Sequence, residues 1–261
     1  AANTAQSNWI SSGAGTPGQT FNLTTGVDAF TGGAGNDTFS AGDISGGSSF
    51  TASDVLDGGA GSDTLTISQT AAFSGAPAGA KISNIETVNI SSGGAITLNT
   101  TTDTAGFTGM TALTTSTTGA AQTVTTGTAV NLTVNDSSQA TANVGINGGK
   151  AVTVNSTGVS TGTITIGATT AAKGAVVVSD TGSATVNAGT HGAIAVTGGT
   201  TVTVTETTDK TQLSKAAGDT STQGAITVTG TADTTSVTIT QTGADTAQAA
   251  VAAVANTRDA Y

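Results

Sequence analysis

Two copies of one nine-residue phrase decide the fold: Gly32-Gly33-Ala34-Gly35-Asn36-Asp37-Thr38-Phe39-Ser40 and Gly58-Gly59-Ala60-Gly61-Ser62-Asp63-Thr64-Leu65-Thr66. Both fit the pattern G-G-x-G-x-D-x-U-x, in which U is a large apolar residue. The glycines let a short loop turn through backbone conformations that other residues avoid. The Asp adds a hard carboxylate oxygen, and the apolar residue begins a short strand whose side chain points into a core. Each copy therefore predicts an oxygen-rich loop followed by a buried strand.

A worn copy lies nine residues before each clean copy and keeps the Asp-x-apolar end. Asp28-Ala29-Phe30 precedes the first clean copy, and Asp54-Val55-Leu56 precedes the second. The repeat predicts a coil of two nonapeptides, 18 residues in all, with alternate loops on opposite sides. Large apolar residues recur at the same interval and predict an inner apolar stack, namely Phe21, Phe30 and Phe39 in one run and Leu56 and Leu65 in the next.

The spacing of the clean copies predicts how the loops stack. They begin 26 residues apart, which is one coil plus eight residues, and we interpret residues 41–48 as a bulged insertion. Loops 32–37 and 58–63 are then expected to stack on one side of the coil. Loops 23–28 and 49–54 are expected to stack on the other side.

Calcium takes six to eight oxygen ligands, which is more than one such loop supplies. The stacked loops 32–37 and 58–63 therefore predict a calcium site. The other pair of loops is poorer in glycine, so its Asp28 and Asp54 predict a weaker second site or none. The alternative interpretation is a turn-rich stretch that holds no ion, but two clean and two worn copies favour calcium.

Charge and composition limit the classes of function. The 261 residues carry a net charge of −10 and include no cysteine. Nucleic acid is not an expected partner because phosphate binding needs clustered Lys or Arg. No Lys or Arg precedes Lys81, so the acidic residues of the roll lack compensation and should need cations. Those residues are Asp28, Asp37, Asp43, Asp54, Asp57 and Asp63.

The rest of the chain is dominated by Thr, Gly, Ala, Val and Ser, with 3% aromatic residues. This composition favours repetitive β structure over a globular enzyme core. No apolar run of about 18 residues occurs, so no membrane-spanning segment is expected. Without cysteine, neither disulfides nor thiolate metal sites are expected.

We divide the chain into a flexible lead-in (1–20), the roll (21–66), a boundary with Pro77 (67–81), a Thr-rich β-solenoid (82–243) and an Ala-rich tail (244–261). The tail is expected to form one or two helical turns or a loosened rung. Outward positions of the solenoid would be Thr, Ser or Asn, in ladders of like side chains. Short strands separated by turns are predicted at 95–99, 122–125, 131–134, 151–155, 163–166, 175–178, 184–187, 193–197, 201–205, 225–229 and 236–240.

No catalytic constellation is visible, so an enzyme is not expected. The single histidine, His191, has no other His or Cys to join it and is interpreted as a turn residue. The two glutamates, Glu86 and Glu206, are not placed near a second carboxylate in a spacing that indicates acid–base chemistry.

The ordered series of motifs resembles the lattice-forming part of RTX surface-layer (S-layer) proteins of Caulobacter type. The nonapeptide itself is the calcium-binding repeat of RTX β-rolls. The segments that carry the resemblance, over most of the chain, are Leu23-Thr24-Thr25-Gly26-Val27-Asp28, Ala34-Gly35-Asn36-Asp37-Thr38-Phe39, Ala41-Gly42-Asp43, Asp57-Gly58-Gly59-Ala60-Gly61-Ser62-Asp63, Asn84-Ile85-Glu86-Thr87-Val88-Asn89-Ile90, Ser91-Ser92-Gly93-Gly94-Ala95-Ile96-Thr97-Leu98-Asn99-Thr100, Gly119-Ala120-Ala121-Gln122-Thr123-Val124-Thr125 and Gly192-Ala193-Ile194-Ala195-Val196-Thr197-Gly198-Gly199.

The resemblance implies a secreted, calcium-dependent protein, exported by type I secretion and assembled into a two-dimensional coat on the cell surface. Anchoring to the cell, further RTX blocks and the secretion signal are expected outside this chain. The calcium ligands implied are backbone carbonyls of the first four loop positions and the sixth-position Asp. In this sequence they are Gly32, Gly33, Ala34, Gly35 and Asp37, with Gly58, Gly59, Ala60, Gly61 and Asp63.

The sequence thus predicts an all-β protein in which a short calcium β-roll leads into a right-handed, parallel β-helix-like solenoid. The expected function is structural, with copies of the chain assembling into a lattice or filament. Two alternatives remain: a segment of an RTX adhesin that binds another cell, and the carrier module of a secreted RTX enzyme.

Overall fold

The strands pair in parallel from rung to rung, which confirms the predicted solenoid-like, all-β fold. A computed structural model describes residues 16–45, 47–101, 107–137, 141–158, 161–183, 188–209, 220–243 and 252–254, and these form strands and no helix. Accordingly, no helix within these ranges has the length and apolar character needed to cross a membrane. In chain order the strands are β1 Thr20–Asn22, β2 Ala29–Thr31, β3 Thr38–Ile44, β4 Gly47–Ser48, β5 Val55–Asp57, β6 Thr64–Gln69, β7 Lys81–Ser83, β8 Thr87–Ser92, β9 Ile96–Asn99, β10 Phe107–Thr108, β11 Ala112–Thr118, β12 Gln122–Thr126, β13 Asn131–Ser137, β14 Val144–Gly148, β15 Val152–Thr157, β16 Ile164–Ile166, β17 Val176–Ser183, β18 Ala188–Thr190, β19 Ile194–Thr197, β20 Thr201–Asp209, β21 Thr220–Thr222, β22 Ile226–Thr229, β23 Ser236–Thr242 and β24 Ala252–Val254.

The first of two compact units comprises residues 1–69, 76–90 and 102–113. One of its sheets runs β1-β3-β6-β8 and the other runs β2-β5-β7-β10. The predicted apolar stack is confirmed, because the ring of Phe21 stacks on those of Phe30 and Phe39, at 5.1 and 4.9 Å between ring centres. In the next rung Leu65 lies opposite Phe39 and is fully buried.

The register of β3 and β6 confirms the predicted loop stacking. Thr38 lies opposite Thr64, an offset of 26 residues. The extra residues fold back as a small hairpin, in which Asp43 of β3 lies opposite Ser48 of β4 in antiparallel pairing. The bulged insertion thus lengthens the rung without breaking the parallel stack.

The second compact unit comprises residues 70–75, 91–101 and 114–261. One sheet continues β13-β15-β17-β20-β23, and the other is β9-β12-β14-β16-β19-β22-β24. Valines at alternate positions of the first sheet fill the core, as in the column Val154, Val178 and Val204, which is fully buried. The predicted outward ladders are also present, since Asn155 Nδ2 donates a hydrogen bond to Asn135 Oδ1 over 2.9 Å.

Each predicted strand that falls within the described residues overlaps an observed strand. The sequence patterns did not indicate β11 or β14, whose alternation is diluted by Thr, Ser and Gly. The predicted strand at 184–187, residues 1–15 of the lead-in and most of the tail lie outside the described residues. Within the tail, residues 252–254 form strand β24, which pairs in parallel with β22 and so fits the loosened-rung alternative.

Candidate functional site

Carboxylates connect successive loops of the first unit through backbone N–H groups. The N–H of Gln19 donates to Asp37 Oδ1 over 2.5 Å, and the N–H of Asp37 donates to Asp63 Oδ1 over 2.6 Å. The N–H of Asp63 in turn donates to Glu86 Oε2 over 2.8 Å. Asp37 and Asp63 are at most 1% exposed. The expectation that Glu86 lies away from a second carboxylate is therefore wrong, because β8 follows β6 in the sheet and brings Glu86 beside Asp63.

The glycine loops 32–37 and 58–63 lie directly on one another. The N–H of Ala60 donates to the carbonyl of Gly33 over 2.9 Å. Gly59 and Gly61 have φ values of 87° and 134°, which side chains rarely tolerate, so the loop depends on glycine at these positions. The structure therefore brings together the two loops in which the sequence predicted the ligands.

Carbonyl and carboxylate oxygens converge at the first glycine of each loop. A methyl group built on Gly58 would meet the carbonyl oxygen of Asn84 and Oδ2 of Asp63. A methyl group on Gly32 would likewise meet the carbonyl oxygen of Gly58 and Oδ2 of Asp37. The absence of side chains at these two positions therefore leaves room in which hard oxygen atoms approach one another.

Asp63 differs from Asp37 in its hydrogen bonding. Both oxygens of Asp37 accept hydrogen bonds, because the N–H of Gly33 also donates to Oδ2 over 2.6 Å. Oδ2 of Asp63 is buried and accepts none from the described residues. Burial raises the pKa of Asp63; the hydrogen bond from Asp37 opposes this, and the charges of Asp37, Glu86 and Asp57 add to it. A cation at Oδ2 would relieve both the missing contact and the repulsion between carboxylates.

The loops on the opposite side are closed by side chains. Asp28 accepts hydrogen bonds from the N–H and hydroxyl of Thr24, at 2.7 and 3.0 Å. Asp54 accepts the equivalent pair from Thr51 and, in addition, the N–H of Asp28. All four carboxylate oxygens are therefore satisfied without an ion, which fits the expectation of a weaker site or none here.

A third cluster, in the second unit, was not indicated by the sequence motifs. His191 Nδ1 lies 2.8 Å from Oδ2 of Asp180, and Glu206 lies beside them. Each of the three offers one ligand atom, these atoms lie within 4.8 Å of one another, and no residue is more than 5% exposed. The interpretation of His191 as a turn residue is wrong, because its side chain is buried against Asp180.

Burial and mutual interaction determine the protonation of this cluster. Burial lowers the pKa of His191, but its hydrogen bond to Asp180 and the charges of Asp180 and Glu206 raise it overall. Burial also raises the pKa of Glu206 to about 7, with a further contribution from Asp180. The charge of His191, the N–H of Gly224 and the amide of Gln241 oppose this increase.

Strand register, rather than local spacing, places Asp180 and Glu206 together. The two residues lie opposite each other in β17 and β20. Each follows two buried valines at alternate positions, as in Val176-Val177-Val178-Ser179-Asp180, so its side chain has the inward parity of the strand. Aligning the Val-x-Val strands would have revealed this shared inward position. The expectation that Glu206 lies away from a second carboxylate is therefore wrong.

Comparisons with known proteins neither support nor oppose these assignments. No protein-family model and no curated protein matches the chain. The geometry of the two units therefore carries the functional argument.

Proposed function

We propose that this chain is a calcium-stabilised structural protein that assembles with copies of itself outside the cell, as in an S-layer or filament. The observation that supports calcium most directly is the buried Oδ2 of Asp63, which lacks a hydrogen-bond donor among the described residues. It lies where the stacked loops bring carbonyl oxygens close to carboxylates, and calcium prefers such oxygen ligands.

The proposed ligands come from both stacked loops. Asp63 and Asp37 supply carboxylate oxygens, and the glycine-rich loop backbones supply carbonyl oxygens. The carbonyl donors in this proposal are Gly32, Gly33, Ala34, Gly35, Gly58, Gly59, Ala60 and Gly61. Asp28 and Asp54 are expected to contribute little, because Thr24 and Thr51 already satisfy their oxygens.

The last strand of the second unit supports self-assembly. Strand β23 ends its sheet among the described residues and pairs there with β20 alone. Val237 continues the buried column of Val176 and Val202, yet its side chain is 38% exposed. An unpaired strand edge beside an exposed core residue is a template for another strand. In this proposal the partner is a second copy of the chain, which extends the stack.

The RTX S-layer assignment adds expectations about context. Export would follow the type I route, and attachment to the cell would use a region outside this chain. The net charge of −10 favours calcium as a counter-ion in the assembled layer.

Sedimentation velocity tests this function. The chain is compared in millimolar calcium and in a chelator, with Asp63→Asn as the ligand variant and the exposed Asp233→Asn as its matched control. Calcium-dependent assembly of the wild type and of Asp233→Asn, weakened in Asp63→Asn, supports the proposal. A monomer under every condition would contradict self-assembly and favour the adhesin or enzyme-carrier alternatives. Calcium-independent assembly would contradict the role of calcium.

A further inference from the structure

The buried cluster in the second unit contains more polar atoms than its hydrogen bonds satisfy. Oδ1 of Asp180 and Oε2 of Glu206 are buried and accept no hydrogen bond from the described residues. The two residues are 3% and 0% exposed. Buried carboxylate oxygens without donors are costly, so a native structure that keeps two of them beside one imidazole needs a compensating group.

The residues around the cluster position its side chains without completing their coordination. Oδ2 of Asp180 is held 2.8 Å from His191 Nδ1. Oε1 of Glu206 accepts the N–H of Gly224 over 3.1 Å and the amide of Gln241 over 3.3 Å. In each carboxylate, one oxygen is therefore fixed while the other lacks a donor.

We propose that Asp180, His191 and Glu206 bind a first-row divalent transition metal ion, of which Zn²⁺ is the most suitable probe. The three ligand atoms lie within 4.8 Å of one another. Small side-chain rotations reduce this separation to the roughly 3–4 Å expected between ligands of one ion. One nitrogen and two carboxylate oxygens form a ligand set that zinc and related ions accept.

This site differs in chemistry from the calcium site of the first unit. Calcium selects six to eight oxygen ligands, whereas an imidazole nitrogen favours transition metals. The cluster is almost closed to solvent, so the ion is expected to enter as the second unit folds and to stabilise it. This inference does not depend on the proposed assembly function.

The composition of the chain makes the test specific. His191 is the single histidine and there is no cysteine, so an imidazole–metal signature can arise only at this site. Chain purified without a histidine tag and saturated with calcium is titrated with Zn²⁺ by calorimetry. The zinc-loaded chain is then examined by X-ray absorption. One zinc ion per chain with one imidazole ligand supports the site, whereas absence of binding or a coordination shell of oxygen alone overturns it.

Variants separate the site from general carboxylate binding. His191→Gln and Glu206→Gln should each weaken zinc binding by tenfold or more. Asp136→Asn should change it less than twofold, because Asp136 is a buried carboxylate of the same sheet but outside the cluster. Equal loss in all three variants, or displacement of zinc by millimolar calcium, would contradict the assignment. The absorption spectrum of the wild type decides the case if a variant fails to fold.

Discussion

Asp63 and Asp54 occupy the same position in their nonapeptides, yet their carboxylates have different surroundings. Thr51 donates both its N–H and its hydroxyl to Asp54, so that carboxylate closes its own loop. The clean repeat has Gly58 where the worn repeat has a polar loop residue, and Oδ2 of Asp63 receives no such donor. At the residue scale, hydrogen bonding therefore separates a candidate ligand from a loop cap of the same type.

Replacing Asp63 by Asn should weaken calcium binding by about tenfold or more, because calcium affinity depends on the charge of the ligand set. Replacing Asp54 by Asn should change calcium affinity less than twofold while lowering the stability of its loop. Isothermal titration of both variants with calcium measures the difference. Equal loss of affinity in the two variants would contradict the assignment of the site to loops 32–37 and 58–63.

Asp136 gives a prediction about pH. Its carboxyl is 2% exposed, and burial raises its pKa to about 6; the hydroxyl of Thr117 opposes the shift and the charge of Asp180 adds to it. The stability contributed by the protonated group is fully present below its unfolded pKa near 3.8 and is lost as pH rises through about 6.

Asp136→Asn removes this ionisation and keeps an oxygen for Thr117. The variant should match the wild type near pH 4 and be more stable above pH 7, by roughly 1–3 kcal/mol after allowance for solvent screening. Denaturant unfolding at both pH values in constant calcium measures the effect. A difference that does not vary with pH would contradict it, and Asp233→Asn serves as the exposed control.

At the scale of elements, the stacking of loops depends on particular glycines. A Cβ atom on Gly58 would collide with the carbonyl of Asn84 and displace Oδ2 of Asp63, whereas one on Gly33 would meet nothing within 4 Å. Gly58→Ala should therefore destabilise the first unit by about 2 kcal/mol or more in the presence of a chelator. Gly33→Ala should change its stability by less than about 0.5 kcal/mol. Thermal unfolding compares the two, and equal effects would contradict the observed rung geometry.

Much of this element structure followed from the sequence, because a fixed repeat determines rung length and inward parity. The recurrence of Phe21 and Phe39 predicted their stacking, and the spacing of the clean copies predicted the 26-residue offset of Thr38 and Thr64. The grouping of Asp180, His191 and Glu206 did not follow, because rungs of unequal length bring these residues together. Their local sequences contain no metal-binding spacing, and the register of β17 and β20 had to be known first.

At the scale of the whole molecule, growth by stacking requires an accessible end. Val237 on β23 extends a core column and is partly exposed, so a charge there should oppose docking of another copy. Val237→Lys should reduce calcium-dependent assembly by tenfold or more. Thr123→Lys, which adds the same charge at an exposed position within the other sheet, should leave assembly nearly unchanged. Light scattering compares the variants, and unaltered assembly of Val237→Lys would contradict this docking edge.

The measurement that tests the central claim most directly is negative-stain electron microscopy of the purified chain, dialysed in parallel against millimolar calcium and against a chelator. Calcium-dependent assembly predicts ordered sheets or filaments with calcium, dispersed particles with chelator, and impaired order for Asp63→Asn. Dispersed wild-type particles under both conditions, or ordered arrays that persist in chelator, would contradict it.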